Sequence, residues 1–283
     1  AQETTTDTSA VLSDDRVNAV VIATRHNSHA DLVCRALRAG KHVFVEKPLA
    51  LTHDEIDQVE EAMTEAAGDC DDPPILTVGF NRRAAPHITE MRDRLQPLSG
   101  PKCMVMTVNA GAIPPGHWTQ DPSIGGGRII GEGCHFIDLL RFLAASPIES
   151  VHGQSIGSAA SEPIRDDKAT ITMTFEDGSL GTVHYFANGH KAYPKERLEV
   201  FCDGRVLVMD NYRKLTGYGV RTGFALPSFR QDKGQEAWAA EFVRCVAEGL
   251  AAPIPIDELL EVSRATVAVG EALRHPEEAP ASS

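Results

Sequence analysis

The order in which this chain alternates strand and helix signals over residues 17–80 leaves few folds open. Residues 17–23 form a short, mostly β-branched run, the kind that becomes a strand buried on both faces of a parallel sheet, so a central strand is expected. Over residues 28–39 the apolar side chains Leu32, Val33, Ala36 and Leu37 recur at helical spacing. Asn27 or Ser28 stands at the capping position, and Gly40 sits where a left-handed residue ends a helix. Residues 42–45 read as a second strand, and Thr52 with Glu55 forms a capping box that opens a helix to about residue 67. A polar, Pro-bearing loop over 68–74 leads to a third strand at 75–80. Strand, helix, strand, helix, strand with short connections implies right-handed crossovers and a doubly wound α/β sheet.

After residue 80 the pattern changes. A helix is predicted over 86–95, then strands at 102–110, 150–157, 169–175, 180–186, 198–202 and 206–209. Asp177-Gly178 and Asp203-Gly204 are two-residue hairpin signals. One helical segment, 128–144, interrupts the strands, helices at 235–249 and 256–273 close the chain, and 276–283 read as a frayed tail. The expected architecture is a partial doubly wound, Rossmann-type parallel sheet followed by an α+β domain with a mainly antiparallel open sheet. Its divisions are residues 1–80, residues 81–275, with C-terminal helices packing back on the first unit, and the tail.

Composition narrows the function. Twenty-seven Lys plus Arg against 40 Asp plus Glu give a formal charge of −13, which argues against a surface that holds nucleic acid. No apolar run approaches the roughly 18–20 residues that cross a bilayer. The start, Ala1-Gln2-Glu3-Thr4, has neither a basic nor an apolar leader region, so neither membrane insertion nor a retained signal peptide is expected. The six cysteines lie at least 31 residues apart, with no metal or redox pair and no disulfide framework, which fits a reducing cytoplasm. A dinucleotide-binding unit opens with a strand, a G-x-G-x-x-G turn and a helix whose N-terminus holds the pyrophosphate. None of the glycine-rich stretches, 125–127, 131–133 or 217–219, has that register after a strand, so residues 1–80 are expected to be only the C-terminal half of such a unit.

The motifs themselves are distinctive. Val20-Val21-Ile22-Ala23-Thr24-Arg25-His26-Asn27-Ser28-His29 is followed by Gly40-Lys41-His42-Val43-Phe44-Val45-Glu46-Lys47-Pro48, by Val78-Gly79-Phe80-Asn81-Arg82-Arg83 and by His117-Trp118. Gly125-Gly126-Gly127 then leads through Gly131, Glu132 and His135 to Asp138. Over roughly residues 5–275 the chain resembles the Gfo/Idh/MocA family, relatives of glucose-fructose oxidoreductase and inositol dehydrogenase. Pro194-Lys195-Glu196-Arg197 and Asp232-Lys233-Gly234 are similar to a subgroup often fused behind an alcohol-dehydrogenase-like domain, of which this chain would be a fragment.

The resemblance implies an NAD- or NADP-dependent oxidoreductase that moves a hydride between nicotinamide and a secondary alcohol of a sugar, cyclitol or derivative. It places Lys47 beside the nicotinamide, at the carboxyl rim of a parallel strand where ligands of open sheets bind. His135 is the second catalytic candidate, since a neutral imidazole is suited to taking an alcohol proton. The family commonly has Asp four residues before that His; here Gly131 stands there. Either the neighbouring Glu132 reaches in, or Lys47 and His135 work as a pair. Ala23, Thr24, Asn27, His29 and Glu46 fall in the cofactor-facing loops, although His29 could equally be a satisfied helix-start histidine. Arg82, Trp118 and Asp138 are candidates for the substrate side. His26 with His29 makes a poor metal site, and no metal is expected.

Two other functions stay open at this point: an NAD-dependent glycosidase on the same scaffold, and a non-catalytic binding or assembly subunit. A homodimer or homotetramer through the antiparallel sheet is expected, because an open sheet needs its outer face covered and the family associates there. With the pyrophosphate-binding turn missing, nicotinamide nucleotide is expected to bind weakly to this chain alone.

Overall fold

The computed structural model describes residues 3–68, 73–157, 164, 166–219 and 224–274. Cys70 and the tail expected at 276–283 lie outside them. A short helix, α1 (Thr8–Leu12), not foreseen from the sequence, is capped by Asp7, whose carboxylate accepts from the Ser9 and Ala10 amides. The parallel sheet follows with β1 (Ala19–Ile22), α2 (His29–Arg38), β2 (His42–Val45), α3 (His53–Ala67) and β3 (Leu76–Val78), in the order β1-β2-β3. Thr52 caps α3 by accepting from the Glu55 amide, and Gly40, at φ +68°, turns the chain out of α2 as its missing β-carbon permits.

One expectation is overturned: β1 is an edge strand, not a central one. Among the described residues only β2 pairs with it, and Val21 is 70% exposed. A β-branched run reports how readily a segment pairs, and says nothing of how many neighbours it acquires.

Among the described residues the second sheet has eight strands, in the order β11-β10-β9-β8-β4-β7-β6-β5. These are β4 (Cys103–Asn109), β5 (Ile148–Ser155), β6 (Lys168–Phe175), β7 (Leu180–Phe186), β8 (Glu196–Cys202), β9 (Arg205–Asp210), β10 (Lys214–Tyr218) and β11 (Phe224–Pro227). Every neighbouring pair is antiparallel except β4 with β7. The sequence pattern did not reveal β10 and β11, where Lys214, Thr216 and Gly217 dilute the alternation of apolar residues. Glycine and polar residues at such positions weaken a strand signal without preventing pairing at a sheet end.

Helix α4 (Pro86–Leu95) and the long segment from Ile129 cover one face of this sheet. Residues Ile129–Gly133 form a wide π-type turn that runs directly into α5 (Cys134–Ala144), a helix buried along its length except at Phe142. Wide turns of this kind occur at functional sites. On the sheet, Met104, Met106 and Val108 of β4 and Val183 and Tyr185 of β7 face the helices. Their outward neighbours Cys103, Leu180 and Phe201 form an exposed row across β7, β4 and β8.

The closing helices α6 (Gln235–Glu248) and α7 (Ile256–Arg274) bind the two sheets into one core. The Trp238 indole donates to the Val78 carbonyl at 2.8 Å, and Phe242 packs edge-on against Phe44 of β2. Arg264 of α7 pairs with Asp57 and Glu60 of α3, while Val269 and Leu273 lie against Gly153 of β5.

Phe136 sits at the centre of this arrangement, fully buried between Tyr185 and the Arg82 guanidinium. Phe136→Ala should cost about 3–5 kcal/mol through lost burial and a residual cavity. Val21→Thr, on the exposed edge, should stay within about 0.5 kcal/mol. Guanidinium unfolding curves of the two variants check both values.

Candidate active site

Three backbone segments converge on Gly131. The first is the rim of the parallel sheet, where the Glu46 amide donates to the Ile22 carbonyl and continues the β1–β2 ladder until Lys47-Pro48 breaks it. The second is the loop after β1, and the third is the π-turn. The Lys47 Nζ donates to the Gly131 carbonyl at 2.7 Å, which joins the rim of one sheet to the helix that crosses the other.

One turn further along, His135 is 6% exposed, its ring edge-on to Phe80. Its Nδ1 is sealed from solvent with no hydrogen-bond partner among the described residues. Burial pushes its pKa well below the ordinary histidine value, and the positive charges of Arg82, Lys47, Lys233 and Lys195 push the same way. The ring is therefore neutral at pH 7. A buried nitrogen left without a partner is rare in folded proteins and marks the ring as a candidate for chemistry. Ala23, Thr24, Asn27 and Glu46 are all exposed along the carboxyl ends of β1 and β2, a rim open to a ligand. Trp118 is half-buried, held between the edge of His26 at 4.7 Å and the Arg25 guanidinium at 5.9 Å.

Four residues expected at the site take other positions. Glu132 does not reach in: its carboxylate receives Arg128 at 2.7 Å, Lys195 at 2.6 Å and the Tyr185 hydroxyl at 2.5 Å. Burial alone would raise its pKa, but the Lys195 charge and these three hydrogen bonds hold it well below the usual carboxylate range. It is an anchored anion and a poor proton acceptor. His29 is fully buried, with Nδ1 2.7 Å from the Pro48 carbonyl oxygen and Nε2 3.2 Å from that of Thr24, so its role is to tie two loops together. Arg82 forms a two-pronged pair with the inaccessible Glu196, which Lys233 also contacts at 2.6 Å. Asp138 is likewise inaccessible and receives both Nε and Nη2 of Arg83. Arg82, at 5% exposure, and Asp138, at 0%, are committed to ion pairs in the interior.

The sequence reading overlooked His26 as a site residue. Its Nδ1 lies 2.8 Å from the Gly125 carbonyl oxygen. Gly125 is itself compelled to be glycine, because a β-carbon there would lie 2.4 Å from the Thr119 backbone. The glycine run at 125–127 thus serves close packing rather than phosphate binding. A neighbouring pair of histidines was visible in the sequence, but what His26 packs against depends on the path of residues 118–125.

Comparison with known proteins agrees with this geometry. An open parallel sheet whose carboxyl rim meets a helix laid on a second, mainly antiparallel sheet defines the class of fold. Residues 2–69 match the profile of an oxidoreductase family with an NAD-binding Rossmann fold, and residues 102–208 match the GFO/IDH/MocA C-terminal domain. The chain belongs to the Gfo/Idh/MocA family. It is 27% identical to a myo-inositol 2-dehydrogenase of Thermotoga maritima over 74% of this chain and 61% of that protein, so it spans about three fifths of that relative's length. It is 30% identical to an inositol 2-dehydrogenase of Saccharopolyspora erythraea over 84% of this chain and 68% of that one. An oxidoreductase domain protein of Kribbella flavida superposes with a TM-score of 0.80 at 25% identity, over 96% of this chain and 82% of its own. Among the described residues no helix is long and apolar enough to cross a membrane.

The buried Glu196 gives this architecture a pH signature. Burial would raise its pKa, yet the hydrogen bonds and charge of Arg82, with Lys233, bring it down to about 2. A carboxylate depressed in the folded state stabilises fully above its unfolded value near 4.5, and that stabilisation is lost as pH falls toward 2. Stability should therefore drop between about pH 4.5 and 2, by on the order of 3 kcal/mol. Glu196→Gln should be less stable at pH 7 and show a shallower acid dependence, as followed by urea unfolding across pH.

Proposed function

We propose that the chain is the catalytic part of an NAD(P)-dependent dehydrogenase that oxidises a secondary alcohol of a sugar, cyclitol or derivative. The observation that carries this is the Lys47–Gly131–His135 arrangement at the rim of a parallel sheet: an ammonium fixed on the Gly131 carbonyl and, one helical turn on from Gly131, a neutral imidazole whose Nδ1 has no partner among the described residues. The similarity to inositol dehydrogenases supports the substrate class. The exposed rim of Ala23, Thr24, Asn27 and Glu46 and the side of Lys47 fit the nicotinamide end of the cofactor. When bound, nicotinamide supplies the acceptor for the hydride that leaves the carbinol carbon.

The remaining steps belong to this chain's residues. Lys47, steadied on the Gly131 carbonyl, donates to the carbinol oxygen and stabilises the negative charge that develops there. His135, neutral at pH 7, receives the hydroxyl proton as the carbon–hydrogen bond breaks and the carbonyl forms. The cations around His135 disfavour its protonated form, so the proton, taken up on Nε2, the nitrogen that is not sealed, is passed on to water rather than kept. Half-buried Trp118 offers an indole face for the apolar side of a sugar or cyclitol ring. On this assignment residues 1–80 are the C-terminal half of a dinucleotide-binding unit, and residues 81–275 hold the substrate and mediate association.

The exposed row Phe201, Cys103 and Leu180 on the outer sheet face supports association as a homodimer or homotetramer. Light scattering at micromolar concentration should therefore give an oligomer mass. The five described cysteines are free, in keeping with a reducing cytoplasm.

In the complete protein, Lys47→Ala and His135→Ala should each lower kcat and kcat/KM together by roughly 10² to 10⁴. Nucleotide affinity should change far less. The double variant should be little worse than the poorer single one. Reduced-nucleotide formation over a panel of polyols and sugars is the assay, and variants that keep more than about a third of wild-type kcat, a loss of under 1 kcal/mol, would exclude the assignment.

A further inference from the structure

Two features around residue 131 play no part in the roles given to Lys47 and His135. The first is the space beside Gly131. A β-carbon placed there would stand 3.0 Å from Cε1 and 3.3 Å from Nδ1 of His26. The imidazole from the loop after β1 therefore occupies the volume that a side chain at 131 would fill, next to the residue whose carbonyl holds Lys47.

The second feature is how that ring is held. His26 is 8% exposed and fixed on three sides, by the Gly125 carbonyl at 2.8 Å, by Trp118 at 4.7 Å and by His29 at 5.6 Å between ring centres. A carbonyl oxygen only accepts, so Nδ1 carries the proton and Nε2 presents a lone pair. Nε2 is not sealed from solvent, and no hydrogen bond to it is made among the described residues. Burial, opposed by the Gly125 contact and reinforced by the charges of Lys47 and His29, lowers its pKa to about 4, so the lone pair stays free at neutral pH.

We propose that His26 is a substrate-binding residue, whose Nε2 accepts a hydrogen bond from a hydroxyl of a neutral polyhydroxy substrate lying beside the carbinol that Lys47 holds. It supplies, from the β1 loop, the polar contact that Gly131 lacks. A cationic donor such as an amino sugar is disfavoured there, because its ammonium would lie in the field of Lys47. This inference rests on the dehydrogenase assignment and sharpens it to a substrate with a second, neutral hydroxyl near the reacting one.

The bland alternative, a ring that merely staples two loops, is separable by choice of variant. In His26→Asn the side-chain amide retains a donor near Nδ1 for the Gly125 carbonyl but has nothing at Nε2. In His26→Gln the amide reaches the Nε2 position. The complete protein is assayed with NAD⁺ and the best polyol of a panel that begins with myo-inositol, alongside thermal melting. His26→Asn should melt close to wild type and bind NAD⁺ within about twofold, while KM for the polyol rises roughly tenfold or more. His26→Gln should recover part of that loss.

An Asn variant with wild-type kcat and KM for the polyol would reduce His26 to a staple. A variant whose NAD⁺ affinity falls as far as its polyol KM worsens would place the ring on the nucleotide instead. Nitrogen-15 spectra of the ring supply an independent check: a proton on Nε2 at pH 7 overturns the inference whatever the kinetics. A wild type that oxidises no polyol or sugar overturns the dehydrogenase assignment itself, whereas an active wild type with an unaffected His26→Asn overturns only the role of His26.

Discussion

The contact of the Lys47 ammonium with the Gly131 carbonyl, at 2.7 Å, is the hinge between the two halves of this molecule. A charge-assisted hydrogen bond of this kind is about twice as strong as a neutral one and fixes direction as well as distance. Because the acceptor is a backbone carbonyl in a wide π-type turn, the position of Lys47 depends on helix geometry rather than on another mobile side chain. The same turn sets the bearing of His135 and removes the β-carbon that would collide with His26. One irregular turn thus determines the relative placement of three side chains from three elements.

Around that centre, three buried carboxylates, two of them expected at the site, hold the framework together. Glu132, Asp138 and Glu196 each lie buried or largely buried against arginine or lysine: Glu132 on Arg128 and Lys195, Asp138 on Arg83, Glu196 on Arg82 and Lys233. Burying an ion pair gains little net free energy, but removing one partner strands a charge in a low-dielectric interior, and that is strongly destabilising. These pairs have a second consequence. Arg82, Lys195 and Lys233 surround His135 with positive charge, so the same cations that neutralise the carboxylates keep the imidazole unprotonated. Framework and reactivity are linked through one electrostatic field.

Both sheets could be read from residue order alone, because βαβ crossovers and hairpin turns have local signatures: capping residues such as Thr52, left-handed glycines such as Gly40 and Gly204, and periodicities of 3.6 and 2. The weaker strands β10 and β11 were not legible, since their pairing comes from neighbours rather than from their own residues. The edge position of β1 was not legible for the same reason. Lys47 and His135 were visible through their motifs. Arg82 and Asp138 looked equally available, because an ionisable side chain next to a motif carries no mark of where its counter-ion lies, and Glu196 is 114 residues from Arg82 along the chain.

Residue spacing therefore determined the two-sheet architecture, and the resemblance of the motifs pointed to the family and to a lysine and a histidine suited to alcohol chemistry. Tertiary structure decided which ionisable groups are free. Glu132, Asp138, Arg82 and His29 are consumed by partners that only folding brings near, while His135 and His26 each keep a nitrogen unshared among the described residues. The physical reason is that a proton or a hydrogen bond responds to distance in space, and long-range contacts such as His26 with Gly125 are set by packing rather than by position in the chain.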